Sequence, residues 1–97
     1  MSVINIENKK QLNEFINEDN VVVKYSAEWC GPCRRIQPLY EEQARIYTGI
    51  NFGHVDVDQV HVRISSLPTF IFYKDGEIIN KLSGASGSEL KKILSKM

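Results

Sequence analysis

The sequence predicts an α/β fold, in which helices cover both faces of a mixed sheet of four to five strands. Strand-like and helix-like segments alternate along the 97 residues, as they do in parallel βαβ units. Near the end of the chain, two strand-like segments flank Asp75-Gly76, a two-residue hairpin turn that makes this last pair antiparallel. A chain of this length supports one small core, so we expect residues 1–97 to form a single domain.

The first half of the chain predicts two strands and two helices. Residues 3–6 form a short apolar run, and residues 21–25 form the β-branched, two-faced run of a buried central strand. Asn8 can cap the first helix, and the second helix follows Cys33. Apolar side chains recur at helical spacing in both helices: Leu12, Phe15 and Ile16 in the first, and Ile36, Leu39, Tyr40, Ala44 and Tyr47 in the second.

The second half of the chain predicts three strands and a final helix. Residues 52–57 have a weak strand pattern, and residues 59–66 hold at most one helical turn. Residues 69–73 and 77–82 form the two arms of the hairpin. The segment Ser86-Gly87-Ser88-Glu89 has the spacing of a capping box. The apolar face of the last helix consists of Leu90, Ile93 and Leu94.

The charge balance argues against several classes of function. Twelve Lys and Arg residues balance twelve Asp and Glu residues, whereas phosphate binding needs a concentrated basic face. No apolar run approaches the ~20 residues of a membrane span, and the first residues lack the basic and apolar regions of a secretory signal. We therefore expect a cytoplasmic protein that binds neither nucleic acid nor membranes.

Cys30 and Cys33 are the only cysteines, and their spacing indicates chemistry rather than stapling. A disulfide that closes so short a loop stabilises a fold by only about 2 kcal/mol. Zinc would need four ligands, and only His54 and His61 could complete the set, without a second cysteine pair or a tight His-x-x-x-His motif. A redox-active dithiol is therefore the preferred interpretation, and no metal is expected.

The dithiol lies where a predicted strand is followed by a helix. The amino end of a helix carries unpaired N–H groups and a partial positive charge, which stabilise a thiolate. Cys30 lies at the start of the helix and should be the nucleophile. Cys33, one turn further in, should be more buried and should resolve the mixed disulfide. Pro32 suits a first helical turn, where its missing N–H costs nothing.

Three segments resemble the thioredoxin family, in the same order and over essentially the whole chain. They are Ala27-Glu28-Trp29-Cys30-Gly31-Pro32-Cys33, Leu67-Pro68-Thr69 before a strand, and Ser83-Gly84-Ala85 before the last helix. The resemblance implies a thioredoxin-like fold and a protein-disulfide reductase. An NADPH-dependent flavoprotein reductase would recycle the dithiol, with no cofactor bound to this chain, which we expect to be a monomer.

The resemblance also implies the direction of the reaction and the roles of nearby residues. Gly31-Pro32 lacks the histidine that is typical of oxidising members, so the disulfide form should be favoured and the dithiol should act as a reductant. Pro68 would be a cis-proline facing the dithiol, which leaves the backbone of Leu67 free to pair with a substrate strand. The residues implied to line an apolar substrate patch are Trp29, Gly31, Pro32, Leu67, Gly84 and Ala85.

Lys24 departs from the family pattern, because typical thioredoxins have a buried aspartate at this position. The aspartate helps to deprotonate the resolving cysteine. An ammonium would instead attract a thiolate, and a neutral, desolvated lysine could accept a proton. We therefore expect Lys24 to point toward Cys33 and to change its ionisation, held by Asp56 on the neighbouring strand. The alternative is that the long stem of Lys24 carries its ammonium to the surface.

The segment between Asp58 and Pro68 is the second departure, because typical thioredoxins have about five more residues there and form a helix with them. We expect this helix to be reduced to a turn. The loop before Pro68 presents backbone to the substrate, so the runner-up function is a reductase dedicated to one partner.

Two further functions come from other classes. A non-catalytic accessory subunit would use the same fold as a rigid docking surface, and it would tolerate replacement of both cysteines by serine. An oxidase or isomerase would be expected to have a signal peptide and a histidine between the cysteines, and the sequence shows neither.

Overall fold

A computed structural model of the protein describes residues 2–97. In chain order the elements are β1 (Ile4–Ile6), α1 (Lys9–Phe15), β2 (Asn20–Ser26), α2 (Gly31–Ile46), β3 (Asn51–Asp56), β4 (Thr69–Lys74), β5 (Glu77–Ser83) and α3 (Gly87–Leu94). The predicted order of strands and helices is confirmed. The second helix begins at Gly31 rather than after Cys33, because Cys30 already caps it.

The strands within residues 2–97 form one five-stranded sheet in the order β1-β3-β2-β4-β5. β3 is parallel to both β1 and β2, whereas β4 is antiparallel to β2 and β5. The predicted mixed sheet is therefore confirmed. β2 has neighbours on both sides, and Val21, Val22 and Val23 are all fully buried. The continuous apolar run in this strand follows from its central position.

The helices cover the two faces of the sheet. On one face, Leu12 and Phe15 of α1 pack with Val21, Val23 and other side chains of the sheet. On the opposite face, α2 and α3 pack against side chains of the sheet such as Val22 and Phe70, and Tyr40 of α2 is fully buried among them. The Tyr40 hydroxyl donates to the carbonyl of Gly53 at 2.7 Å, which attaches α2 to the sheet.

The two helix caps and the hairpin turn form at the residues predicted from local sequence. The Asn8 side chain accepts the N–H of Gln11 at 2.8 Å, and Ser86 accepts the N–H of Glu89 at 3.3 Å. Asp75 and Gly76 both have positive φ, 52° and 87°, which is the backbone of a type I′ hairpin turn.

The segment between β3 and β4 contains one turn and no helix, as predicted. The N–H groups of Gln59 and Val60 both donate to the carbonyl of Asp56 at 2.9 Å. Val60 is buried, and Val57, Val62 and Ile64 pack against the same core as α1. These apolar side chains cover this part of the sheet without a helix. No helix in the described range, residues 2–97, is both long enough and apolar enough to span a membrane.

Gly53 permits the close approach of β3 to α1, which generates a prediction. A Cβ atom at this position would lie 2.6 Å from a ring carbon of Phe15 and 2.8 Å from Cδ1 of Ile6. We expect Gly53→Ala to lower the free energy of unfolding by about 1–3 kcal/mol, because it overpacks this core. Denaturant unfolding measures the change.

Gly49→Ala is the matched control, since a Cβ at Gly49 has nothing within 4 Å. Equal stability of the two variants would contradict the packing argument.

Candidate active site

The cysteine pair lies at the junction of β2 and α2. β2 ends at Ser26, and the N–H of Cys30 donates to the carbonyl of Ala27 at 3.1 Å, which turns the chain into the helix. Cys30 is the N-cap of α2, and its Sγ accepts the N–H of Cys33 at 3.2 Å. The two sulfurs form a disulfide, with 5.3 Å between the Cα atoms. The helix terminus therefore points a backbone donor at the Cys30 sulfur.

A groove lies on the Cys30 side of the pair. It encloses about 520 Å³, and its lining residues are Trp29, Cys30, Gly31, Pro32, Val57, Ile64, Ser65, Ser66 and Leu67. The Leu67-Pro68 peptide bond is cis. Gly84 and Ala85 do not belong to this lining. Gly84 instead attaches the end of β5 to the residue after Leu67, since its N–H donates to the carbonyl of Pro68 at 2.8 Å.

Trp29 forms an exposed wall of the groove and is anchored by a residue that the sequence analysis did not assign to the site. The Trp29 side chain is 70% exposed, and its Nε1 donates to Oδ2 of Asp58 at 2.9 Å. Trp29 follows β2 and Asp58 follows β3, and these strands are parallel neighbours. Their carboxyl ends meet at one edge of the sheet, so strand order implies that the two residues lie close together.

Lys24 is buried next to Cys33. Only 2% of the residue is exposed, and its Nζ donates to the carbonyl of Cys33 at 2.8 Å and to Oε1 of Gln37. The alternative of an ammonium that reaches the surface is therefore wrong. Burial lowers the pKa of Lys24 from 10.5 to about 8, although the negative charge of Glu41 opposes this shift.

Asp56 does not hold Lys24 in the part of the chain that the structure describes. The acceptors for Lys24 Nζ are the Cys33 carbonyl and the Gln37 side chain. The Asp56 carboxylate instead accepts the N–H of Asp58 at 2.9 Å. The expected direct pairing is thus replaced by an amide acceptor from α2. Sequence spacing did not identify Gln37, because the contact depends on how α2 crosses β2.

Lys24 and Cys33 line a second cavity, which encloses about 440 Å³ behind the disulfide. Asp56, Ser26 and His54 contribute to the same cavity, and His54 Nε2 lies 2.6 Å from Ser26 Oγ. Burial and the positive charge of Lys24 lower the pKa of His54, whereas Asp56 opposes this. Cys30 faces the groove and Cys33 faces this cavity, so the two sulfurs lie in different surroundings.

The zinc alternative has no support in the described residues. Within residues 2–97, no three His, Cys, Asp or Glu side chains come together in a way that could hold a metal ion. His54 is engaged by Ser26, and His61 lies on the exposed part of the segment after β3, where its carbonyl accepts from Lys9 Nζ at 3.2 Å.

The buried amine of Lys24 predicts a pH dependence of stability. The folded protein disfavours the charged amine, so between about pH 8 and pH 10.5 the unfolded chain binds more protons than the folded one. Stability contributed by this group therefore rises with pH through that window. Relative to Lys24→Met, we expect the wild type to gain about 2 kcal/mol in its free energy of unfolding between about pH 7 and pH 10.

Urea unfolding of both proteins across this range measures the difference. Parallel pH profiles would show that Lys24 titrates as it does in water.

Comparisons with known proteins agree with this geometry. The family model described as Thioredoxin matches residues 3–96. The chain is 38% identical over 97 residues to Thioredoxin-3 of Dictyostelium discoideum, covering 95% of this chain and 93% of that protein. It is 40% identical to Thioredoxin 1 of Plasmodium falciparum, covering 94% and 93% of the two chains.

A solved structure of Plasmodium falciparum thioredoxin has a similar fold. It superposes with a TM-score of 0.92 at 40% identity, covering 97% of this chain and 98% of that one. The chain therefore belongs to the thioredoxin family, and it is a thiol-disulfide oxidoreductase that reduces protein disulfides through its Cys30-Cys33 dithiol and is recycled by a reductase.

Proposed function

We propose that Cys30 is the attacking sulfur of this reductase and that Cys33 is the resolving sulfur. The observation that carries this assignment is the different surroundings of the two residues. Cys30 caps α2, accepts a backbone N–H and, with 5% of its surface exposed, lines the open groove. Cys33 is only 1% exposed and lines the cavity that contains Lys24.

The reaction consists of two thiol-disulfide exchanges. The Cys30 thiolate attacks one sulfur of the substrate disulfide, forms a mixed disulfide and releases the other sulfur as a thiolate, which takes up a proton. Cys33 then loses its proton and attacks Cys30 Sγ, which releases the second substrate sulfur. Two electrons have passed to the substrate, and the Cys30-Cys33 disulfide remains.

The groove residues are proposed to bind the substrate around the mixed disulfide. Trp29, Gly31 and Pro32 form one wall, and the backbone of Leu67, before cis-Pro68, is available to pair with an extended substrate strand. Gly84 and Ala85 would extend this surface beyond the groove, next to Pro68. The short segment before Pro68 contributes Ile64, Ser65 and Ser66 to the groove, which favours a dedicated partner as the second candidate.

The electron source and the setting are also part of the proposal. An NADPH-dependent thioredoxin reductase would return two electrons and two protons to the Cys30-Cys33 disulfide. The protein would act in the cytoplasm as a single-domain monomer, with no cofactor of its own. The recycling step is tested by mixing the oxidised protein with that reductase and NADPH and following the absorbance of NADPH, which should fall as the disulfide is reduced.

Lys24 and Asp56 are proposed to tune the resolving step from the cavity. The Lys24 amine contacts the backbone of Cys33, so as an ammonium it would stabilise the Cys33 thiolate and as a neutral amine it could accept the Cys33 proton. Asp56 lines the same cavity and would influence the resolving step through its negative charge rather than by direct contact with Lys24. The same charge raises the pKa of His54 and so partly offsets the lowering caused by burial.

The division of labour between the sulfurs predicts the behaviour of two serine variants. Cys33→Ser should form the mixed disulfide and fail to release it, so a chromogenic aryl disulfide should give one equivalent of thiol and a covalent adduct. Cys30→Ser should form no adduct. Mass spectrometry of the protein distinguishes these results, and insulin reduction should be lost in both variants.

The same experiment separates the competing functions. A protein that acts only as an accessory subunit would keep its function in both serine variants. Equal adduct formation by the two variants would contradict the assignment of Cys30 as the attacking sulfur.

The role of Lys24 predicts a change in the second exchange only. For Lys24→Met, we expect the pH at which the mixed disulfide is resolved at half its maximal rate to rise by about one unit, which slows resolution about tenfold at neutral pH. Stopped-flow release of the second substrate thiol measures this rate. Lys10→Met, on the exposed side of α1, is the control. An unchanged profile in Lys24→Met would eliminate tuning by this amine.

A further inference from the structure

Gln37 lies between the buried amine of Lys24 and the surface. Its Oε1 accepts from Lys24 Nζ, and its Nε2 donates to Oε2 of Glu41 at 2.9 Å. This orientation of the amide is chemically determined, because the reverse would place its NH₂ against the amine and its oxygen against the carboxylate. Gln37 therefore connects a buried cation to an exposed anion.

Three residues of one helix face form this arrangement. Cys33, Gln37 and Glu41 are four residues apart in succession, so their side chains follow one another along α2. Lys24 approaches this face from β2, and its amine is held by the backbone carbonyl of Cys33 and by the Gln37 amide together. The amide fixes the amine beside the residue that carries the resolving sulfur.

The chemistry of an amide suits this position. A carboxylate in contact with Lys24 would neutralise the ammonium and hold its proton tightly. A neutral amide orients the amine without neutralising its charge, so the charge can still attract a thiolate. Burial then remains the largest influence on the pKa of Lys24. The negative charge of Glu41 acts from one side chain further away.

Other charged groups also surround this amine and enter its titration. β3 contributes His54 and Asp56 to the cavity, Glu28 lies in the turn before α2, and Arg34 lies on the first turns of α2. Of these, His54 is the cross-strand partner of Lys24 in the β2-β3 register. None of them replaces Gln37 as an acceptor for Lys24 Nζ within residues 2–97.

We propose that Gln37 is a positioning residue for the resolving step, which holds the amine of Lys24 beside Cys33 and links it to Glu41. This inference rests on the role proposed above for Lys24. Gln37 does not contact the reacting sulfurs through a hydrogen bond, so it acts through Lys24 and not as a catalytic residue.

The test compares Gln37→Leu and Gln37→Glu with the wild type, with stopped-flow release of the second substrate thiol as the kinetic readout. Gln37→Leu should slow resolution at neutral pH several-fold, up to the tenfold expected for loss of the amine. Gln37→Glu should raise the pKa of Lys24 and shift the pH profile of resolution, whereas formation of the mixed disulfide should not change. NMR titration of isotope-labelled Lys24 follows the amine directly, and chemical unfolding monitors the fold of each variant.

A double-mutant cycle with Lys24→Met separates positioning from a general structural role. If Gln37 acts through Lys24, then Gln37→Leu has no further effect on resolution in the Lys24→Met background. Equal effects in both backgrounds would overturn the inference, as would an unchanged Lys24 titration in both Gln37 variants.

The exposed neighbours Glu41 and Glu42 give a matched pair of control variants. Glu41→Gln should lower the pKa of Lys24, and Glu42→Gln should leave it unchanged; identical titrations in these two variants would overturn the link to Glu41. If Lys24→Met resolves the mixed disulfide normally, the proposed role of Lys24 itself is wrong. If only Lys24→Met is impaired and Gln37→Leu is not, the role of Lys24 stands and the positioning by Gln37 is wrong.

Discussion

The backbone N–H of Cys33 that points at the sulfur of Cys30 connects the fold of this protein to its chemistry. That bond exists because β2, buried at the centre of the sheet, ends at Ser26 and the chain turns directly into α2. A strand in this position cannot shift without exposing apolar side chains from both of its faces. The location of the Cys30 sulfur is therefore set by the packing of the whole sheet rather than by the short motif alone.

The sheet also divides the surroundings of the dithiol into two regions. The groove on one side is apolar and open, and it includes the exposed ring of Trp29. The cavity on the other side contains an amine, an imidazole and a carboxylate, from Lys24, His54 and Asp56. Cys30 and Cys33 thus lie in different environments, although they are separated by only Gly31 and Pro32.

Local signals predicted the parts of this structure that depend on few residues. The caps at Asn8 and Ser86 and the hairpin at Asp75-Gly76 are formed by neighbours in sequence, and each was predicted correctly. The motif around Cys30 was sufficient to place the dithiol at a helix start. The resemblance led us to expect that Lys24 points toward Cys33 and is held by Asp56. Lys24 is buried next to Cys33, but its side-chain acceptor is Gln37 and not Asp56.

Contacts that join distant segments of the chain could not be predicted from the sequence. Gln37 contacts Lys24 only because of the position at which α2 packs across β2. The hydrogen bond between Ser26 and His54 depends on the register of β2 with β3. The contact of Trp29 with Asp58 could be predicted only in part. Parallel strand order implies that the two residues lie close together, but it does not imply the hydrogen bond between them. Residues at such crossings carry no periodic signal, because their partners are selected by three-dimensional packing.

The segment between β3 and β4 has a consequence for the engineering of this protein. Val57 and Ile64 both line the groove and pack against the core beneath α1. A mutation that reshapes the groove at either residue also changes how well the sheet is covered. Under the proposed role of the groove in substrate binding, a substitution at either residue would change selectivity and stability together. Ser65 and Ser66 line the same groove without belonging to that core, and they offer a route to new selectivity with less disturbance of the interior.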